Sequence, residues 1–389
     1  MNRKNRMETA GILSLSLLLT SAYSISACLP DMLNSFNDYA RSDIELLISI
    51  PAMAMAFMIA LSPFIVGKMN KRVLISCGLT VIGVAGCVPA FFPSYPLIFV
   101  SRILLGIGIG LINTRAVSLI GERFSGNQKA RLMGIRGSME TLGQAGLTFL
   151  AGQLLVFGWK YSFLVYSVAF VVLLFYLIFV PIEERKILPE DYSSNAGQEY
   201  RLKRCGYVRI FCYAILGGLM VSANCVISLR IPSLIIEADM GTGADGATIL
   251  SLSVLAGFLG GFALGKLTEK WKQLTFSVSA VISAVGMLMI FFANGALFTT
   301  FGAVISGFFI AICISCCFNN VSDNIPKEAL NTANAAVLIG CNLGSSATPF
   351  FLRMIDAWKN ATTAGFLIYA IVLLAAGLGC FVCIVKKKG

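Results

Sequence analysis

Three ionisable side chains, Arg102, Arg115 and Glu140, stand inside long apolar stretches of this chain. An ionised group in hydrocarbon costs roughly 3 kcal/mol or more unless a partner or water receives it. Charges kept at that cost point to a short list of chemistries: a proton-carrying carboxylate, an ion pair between helices, or capture of a charged solute. At 1.5 Å per residue, Arg115 lies about 9 Å and Glu140 about 13 Å from the same end of two antiparallel stretches. That spacing predicts an Arg115–Glu140 ion pair. Arg136, Glu140, Gln144 and Thr148 recur every fourth residue, a polar stripe down one helix face. The stripe is expected to line a cavity or the seam with the preceding helix. Thirteen residues at about 100° each set Arg102 and Arg115 roughly 140° apart. Arg102 then shares a face with Gly106, Gly110 and Asn113, which is assigned to a central pathway, and Arg115 falls on a helix–helix seam.

Two readings of Glu140 stand side by side: a carboxylate whose proton affinity changes with access, or a permanent salt bridge orienting two helices. Asp31, near the end of the first apolar stretch, is a second proton site or a solvated loop acid. The second half shows no charge within its apolar stretches and offers Asn224, Asn319, Asn320, Asn334 and Asn342 instead. The pattern suggests a charged first half and a neutral second half that shapes a solute pocket. The chain contains no histidine, so any proton relay must use carboxylates and a histidine metal site is excluded. No metal or organic cofactor is expected. Cys313/Cys316 and Cys380/Cys383 sit in apolar helices and read as small packing residues.

The elements that hold these residues are set by composition. Hydrophobic residues make up 57% of the 389, charged residues only 13%, and the mean hydropathy is +0.83. A soluble domain carries roughly 25% charge, so the expected solvent is lipid. Apolar stretches occur at about 11–33, 44–66, 73–92, 97–120, 131–157 and 160–181. Six more lie at about 207–230, 247–265, 274–293, 297–318, 330–352 and 362–385. Each is close to the roughly 20 residues that cross a bilayer as a helix. The polar stretch from Glu183 to Arg204 separates the two sets. The expected organisation is an all-α integral membrane protein with twelve transmembrane helices in two six-helix pseudo-repeats. The first bundle covers 1–181, a central loop 182–206 and the second bundle 207–389. Ile25-Ser-Ala-Cys28 matches a lipoprotein cleavage pattern, but the neighbouring Leu29-Pro-Asp echoes Ile231-Pro-Ser and favours a retained first helix.

The net charge of +11 is a matter of topology. Loops on the side of the N-terminus hold 23 basic residues against 5 on the other side. By the positive-inside rule both termini and the central loop are cytoplasmic. Nucleic acid is therefore not an expected partner. Nucleotide is not one either. Gly260, Gly265 and Lys266 fit Walker spacing, but Leu267 replaces the magnesium-binding hydroxyl and no strand precedes it. Gly257, Gly261 and Gly265 are instead expected to form a ladder for close helix contact.

Phe64/Gly67/Lys68 and Phe262/Gly265/Lys266 repeat at an offset of 198 residues, and Gly146 and Gly344 match at the same offset. Two basic hinges at equivalent places in twelve apolar stretches resemble the major facilitator superfamily. The family's signature after the second span is Gly-x-x-x-Asp-Arg/Lys-x-Gly-Arg/Lys-Arg/Lys. Here it meets Pro63, Gly67, Lys68, Asn70, Lys71 and Arg72, which keep the cations and lack the acid that helps lock the family's cytoplasmic gate. The second copy keeps Gly261, Lys266 and Lys270. Arg102-x-x-x-Gly106, with Gly143, Gly146, Gly152 and Gly158-Trp, is similar to motifs of the drug–proton antiporter branch.

The resemblance implies a monomeric secondary transporter of a bacterial inner membrane, driven by the proton gradient and exporting a small organic or amphipathic molecule. Uptake of a small anion on Arg102 is the alternative within that class. The anion role would let Arg102→Lys partly work, whereas a purely structural arginine would tolerate Gln. A membrane enzyme would need paired acids or a nucleophile–base set at one interface, and the sequence shows neither. A solute sensor that moves nothing is the remaining alternative.

Overall fold

The computed structural model describes residues 3–66, 70–123, 126–180, 204–326, 329–358 and 362–386. Helix is the structure that satisfies every backbone polar group within its own segment, which lipid requires. The described residues form α1 (Arg3–Ser14), α2 (Leu29–Ser35), α3 (Arg41–Val66), α4 (Lys71–Phe91), α5 (Tyr95–Arg123), α6 (Gly126–Leu154) and α7 (Val168–Phe179). After the central loop come α8 (Arg204–Glu237), α9 (Gly243–Trp271), α10 (Thr275–Phe291), α11 (Ala296–Asn324), α12 (Leu330–Trp358) and α13 (Ala364–Lys386). Nine stretches among the described residues are long and apolar enough to cross a membrane, or ten if the bent first stretch counts as one span. One of the nine, Gly243–Phe291, contains both α9 and α10. α6 is too polar to be among them, because it carries the stripe. Large apolar side chains cover the outside, Phe91 at 71% exposed and Phe262 at 67% among them, a surface that needs lipid against it.

The first stretch is broken for a local reason. Ser14, Ser21 and Ser26 each turn their hydroxyl back to the carbonyl three residues earlier, at Gly11, Leu18 and Tyr23. Such bonds compete with the helical ladder. The segment runs as short 3-10 turns between α1 and α2, and its two parts meet at a 43° bend. Loosened turns leave carbonyls available to other helices. At the end of α6 the chain reverses through Gly158, whose φ of 113° suits glycine and no bulky residue.

Arg102 uses those carbonyls. Its side chain is 1% exposed. Nε donates to Leu47 O at 2.8 Å, Nη1 to the Tyr166 hydroxyl at 2.7 Å, and Nη2 to the carbonyls of Ala22 and Ile48. Tyr166 in turn donates to Ser21 O at 3.0 Å, and the guanidinium lies 5.6 Å from its ring centre. One side chain thus ties α5 to α3, to the broken first stretch and to the 3-10 segment before α7. The face it shares with Gly106 and Gly110 is a seam and not a central pathway, which corrects the expectation. A Cβ at Gly106 would lie 2.7 Å from Pro51 Cα, and one at Gly110 would lie 2.5 Å from Met58 Cβ, both on α3.

Glycine spacing also sorts differently from its sequence pattern. On α9, Gly257 and Gly260 abut α11 at the carbonyls of Gly307 and Phe308, while Gly261 and Gly265 have nothing within 4 Å. The close-contact pair is therefore 257/260 and not the 257/261/265 ladder. Gly344 presses on the backbone of Gly218, whereas Gly146 has nothing within 4 Å, so their equal offset does not mark equal packing. Cys313 donates to Phe276 O at 3.7 Å on α10 and serves as a packing residue at that seam.

Two broad seams join the helices before residue 181 to those after 203: α3 against α12, and α6 against α9. Gly152 of α6 leaves room for Ala247 of α9, and Ser251 donates to Ala145 O at 3.1 Å across the same seam.

Two outcomes test this packing. Gly344→Ala should destabilise the folded protein by about 1–3 kcal/mol, because only backbone stands in the way, while Gly261→Ala should change stability little. Thermal unfolding in detergent compares them. Arg102→Gln should cost about 2–5 kcal/mol by leaving several carbonyls without a donor, and Arg102→Lys should recover part of that loss. Tolerance of Gln at 102 would refute the clamp.

Candidate functional site

The polar stripe of α6 faces inward, as its period requires. Gly143 lets the helix lie against the backbone of Leu17, and Thr20 donates its hydroxyl to Glu140 O at 3.2 Å. Glu140 pairs with Arg136 one turn earlier, Nη1 to Oε2 at 3.7 Å. This differs from the predicted partner. Arg115 is buried on α5, and the carboxylate takes the cation on its own helix. The difference has a geometric cause. α5 and α6 touch only lightly, and α6 instead lies mainly against α9 and the broken first stretch.

Arg136 is held more tightly by its other partner. Its Nη2 donates to Asn113 Oδ1 of α5 at 2.7 Å. Glu140 and Arg136 keep 27% and 16% of their side-chain surface. The carboxylate therefore has a loose ion pair, a cation already engaged elsewhere, and part of its surface uncovered. Gln144 is partly exposed on the same face, and Thr148 closes it as a buried residue. The geometry thus joins Glu140, Arg136 and Asn113 in one chain from α6 to α5.

Other candidate residues fall elsewhere. Asn342 is buried, and its amide donates to Leu338 O at 2.8 Å within α12, so its donor serves its own helix. Asp31 sits partly exposed in the first turn of α2. Gly67 and Lys68 lie outside the described residues. Arg72 donates to Leu177 O at 2.8 Å and so caps the carboxyl end of α7, while Asn70 caps α4 by accepting from Arg72 N. Lys71 is exposed at the start of α4. On the second hinge Lys266 and Lys270 are exposed, and Gly265 has open space beside it. The same is true of Gly137 near the start of α6. Described basic residues of the two hinges thus lie exposed at helix ends, Lys71 at the start of α4 and Lys270 at the end of α9.

At the face opposite the termini the structure reveals a charge cluster that sequence reading missed. Glu45 of α3 is fully buried and touches Arg230 of α8, itself 1% exposed, with Nε 3.0 Å from Oε1. That contact is electrostatic and poorly aligned, since Nε forms no hydrogen bond; the bond runs from Nη2 to Oε2 at 3.4 Å. Arg230 also grips Asp356 of α12 with two bonds, at 2.7 and 3.2 Å. Arg41 binds Glu45 at 3.2 Å and Glu237 at 3.0 Å, and Thr362 donates to the other oxygen of Glu237. The second half therefore does carry a buried charge within a helix, contrary to the sequence reading. Arg230 was placed at the end of an apolar stretch, but α8 continues to Glu237 through Pro232. A usable signal was present: Glu45 follows Arg41 by four residues and stands between Ile44 and Leu46.

Midway between these regions, Tyr23 of the broken first stretch shares a short hydrogen bond with Ser345 of α12. Cys225 of α8 donates to Ser345 O at 3.7 Å, and Ser222 joins Thr348 and Tyr369 at 2.8 and 2.6 Å. These bonds tie α8 to α12 and α13, and α12 to the first stretch.

Known proteins match this architecture. The family model for the Major Facilitator Superfamily matches residues 11–349 and again 214–388. No curated protein sequence matches the chain. Among solved structures, a D-xylose–proton symporter superposes with a TM-score of 0.74 at 16% identity, covering 96% of each chain. The inward-open form of the xylose transporter XylE from E. coli gives 0.71 at 16% identity, over 96% of this chain and 94% of that one. A POT family transporter in complex with a thioalcohol-conjugated peptide gives 0.78 at 13% identity, over 98% and 96%. At these identities the likeness is one of fold, and the family match over nearly the whole chain is what assigns it. The chain belongs to the major facilitator superfamily.

Proposed function

We propose that this protein is a secondary transporter that couples proton movement to export of a small organic or amphipathic molecule. Twelve crossings in two bundles, 1–181 and 207–389, would rock against each other around a site near the bilayer midplane. The observation that carries the coupling role is Glu140, a partly exposed carboxylate at the centre of the fold with a loose partner at 3.7 Å. Arg136 is steered toward Asn113, so a proton or a cationic group can compete for the carboxylate without first breaking a tight pair. Gln144 and Asn113 supply neutral contacts beside it.

The small-anion reading loses its cation, because the Arg102 donors are spent on carbonyls and Tyr166. Uptake by symport is the second reading. It is favoured by one observation, the fold likeness to a protein described as a D-xylose–proton symporter. Family membership points to a transporter and not to an enzyme. The basic loops support cytoplasmic termini, and the proposed location is a bacterial inner membrane.

Proton release by detergent-solubilised protein distinguishes the roles. Small organic cations, anions and neutral amphiphiles are added in turn to the wild type, to Glu140→Gln and to Asp31→Asn. Release triggered by at least one compound should vanish in Glu140→Gln and persist in Asp31→Asn. Release that survives in Glu140→Gln would refute the coupling role of Glu140, and proton uptake in place of release would favour symport.

A further inference from the structure

The charge cluster at the face opposite the termini has an arrangement that ordinary packing does not require. Its five ionised groups come from both halves: Arg41 and Glu45 from α3, Arg230 and Glu237 from α8, Asp356 from α12. Two contacts cross between halves, Glu45–Arg230 and Arg41–Glu237. Two others stay within a half, Arg41–Glu45 and Arg230–Asp356. If the halves part at this face, the crossing contacts break and the internal ones survive. Each buried charge then keeps a counter-charge on its own side. Glu45 retains Arg41, and Arg230 retains Asp356.

We propose that these side chains form a charge-partitioned latch, which holds this face closed at rest and lets it open without stranding a charge. The physical reason lies in the cost of burial. A buried ion loses several kcal/mol of hydration, and removing its only partner leaves that loss uncompensated. A single Glu45–Arg230 pair between the halves would make parting prohibitive. Without any crossing pair, nothing charged would favour closure. The shared geometry solves both, because each crossing partner is held a second time from within its own half. Arg230 is nearer its internal partner, at 2.7 Å, than its crossing partner, at 3.0 Å. Arg41 is balanced between the two, at 3.2 and 3.0 Å. The latch concerns which face is closed, and it rests on the alternating-access reading only for its use in transport.

The partition makes a prediction of opposite signs. Removing a crossing partner weakens the closed form, whereas removing an internal partner weakens the open form, in which Arg230 would have no counter-charge. Hydrogen–deuterium exchange of the full chain in lipid nanodiscs reads this at residues 41–52 and 348–358, where exchange follows the open fraction. Glu45→Gln removes a crossing and an internal contact, but Arg41 keeps 27% of its surface and Arg230 only 1%, so the crossing loss dominates and exchange should speed about tenfold, the effect of a shift of roughly 1.4 kcal/mol. Glu237→Gln should act in the same direction but more weakly, since Glu237 is 47% exposed. Asp356→Asn should slow exchange several-fold. Faster exchange in Asp356→Asn, or no shift in any variant, would overturn the latch and leave a structural cluster. If Glu45→Gln does not fold, the opposed signs of Glu237→Gln and Asp356→Asn decide the matter. Flux of a candidate solute into proteoliposomes is measured in parallel; opposed exchange shifts without flux would sustain the latch and remove the transport reading.

Discussion

An ionised side chain inside a lipid-embedded bundle must be supplied with partners by the helices around it, because neither lipid nor its own helix can supply enough. Arg102 and Arg230 meet this constraint in two ways. Arg102 has no carboxylate among its bonded partners and is received by three carbonyls and a tyrosine hydroxyl. That arrangement is possible because serine hydroxyls loosen the first stretch and release its backbone oxygens. Arg230 is received by two carboxylates, one from each half. The first solution fixes four segments within one half. The second joins the halves while leaving each electrically provided for.

From that difference the rest of the architecture follows. The helices of the first half are locked to one another at the level of Arg102, and the seam of α5 with α3 is closed by Gly106 and Gly110 to backbone distance. Motion is therefore not expected within this half. The contacts between halves are of another kind. They rest on the α3–α12 and α6–α9 seams, where small residues such as Gly152 and Ala247 meet. Ion pairs and hydroxyl bonds complete them toward the face opposite the termini. A rigid-body movement of the halves, as proposed, would part these contacts together with the apolar contacts of the one buried core that both halves share.

Glu140 occupies the position between these two regimes. It belongs to the helix that forms one inter-half seam, and its cation is tethered to α5 within its own half. A change in the α6–α9 seam would alter the solvent around the carboxylate while Arg136 stays anchored. The proposed proton coupling would rest on that link between protonation and access. The latch and the carboxylate thus address opposite ends of one seam system. In the proposed mechanism the latch would act on which face is closed, and the carboxylate on what must be bound for the closure to change.

Much of the fold was legible in the sequence. Apolar stretches of membrane length, a polar break after residue 181 and paired basic hinges led to an all-helical membrane protein of the major facilitator type. The stripe Arg136–Glu140–Gln144–Thr148 was readable from its four-residue period, and Arg102 was rightly singled out as a charge that demanded an explanation. Its explanation was not readable. Period and spacing place a residue on a helix face, but they do not say which neighbour that face meets. For that reason Arg115 was paired with Glu140 across two helices that touch only lightly, and the Arg102 face was assigned to a pathway when it packs against α3. Glu45 and Arg230 were overlooked because each is a boundary residue by hydropathy. Only the meeting of α3, α8 and α12 makes them interior. The sequence by itself determined the solvent, the helices and the charges that needed partners, because these depend on local composition. The tertiary structure decided who the partners are, because an ion pair in hydrocarbon is set by distances of a few ångströms between segments far apart in the chain.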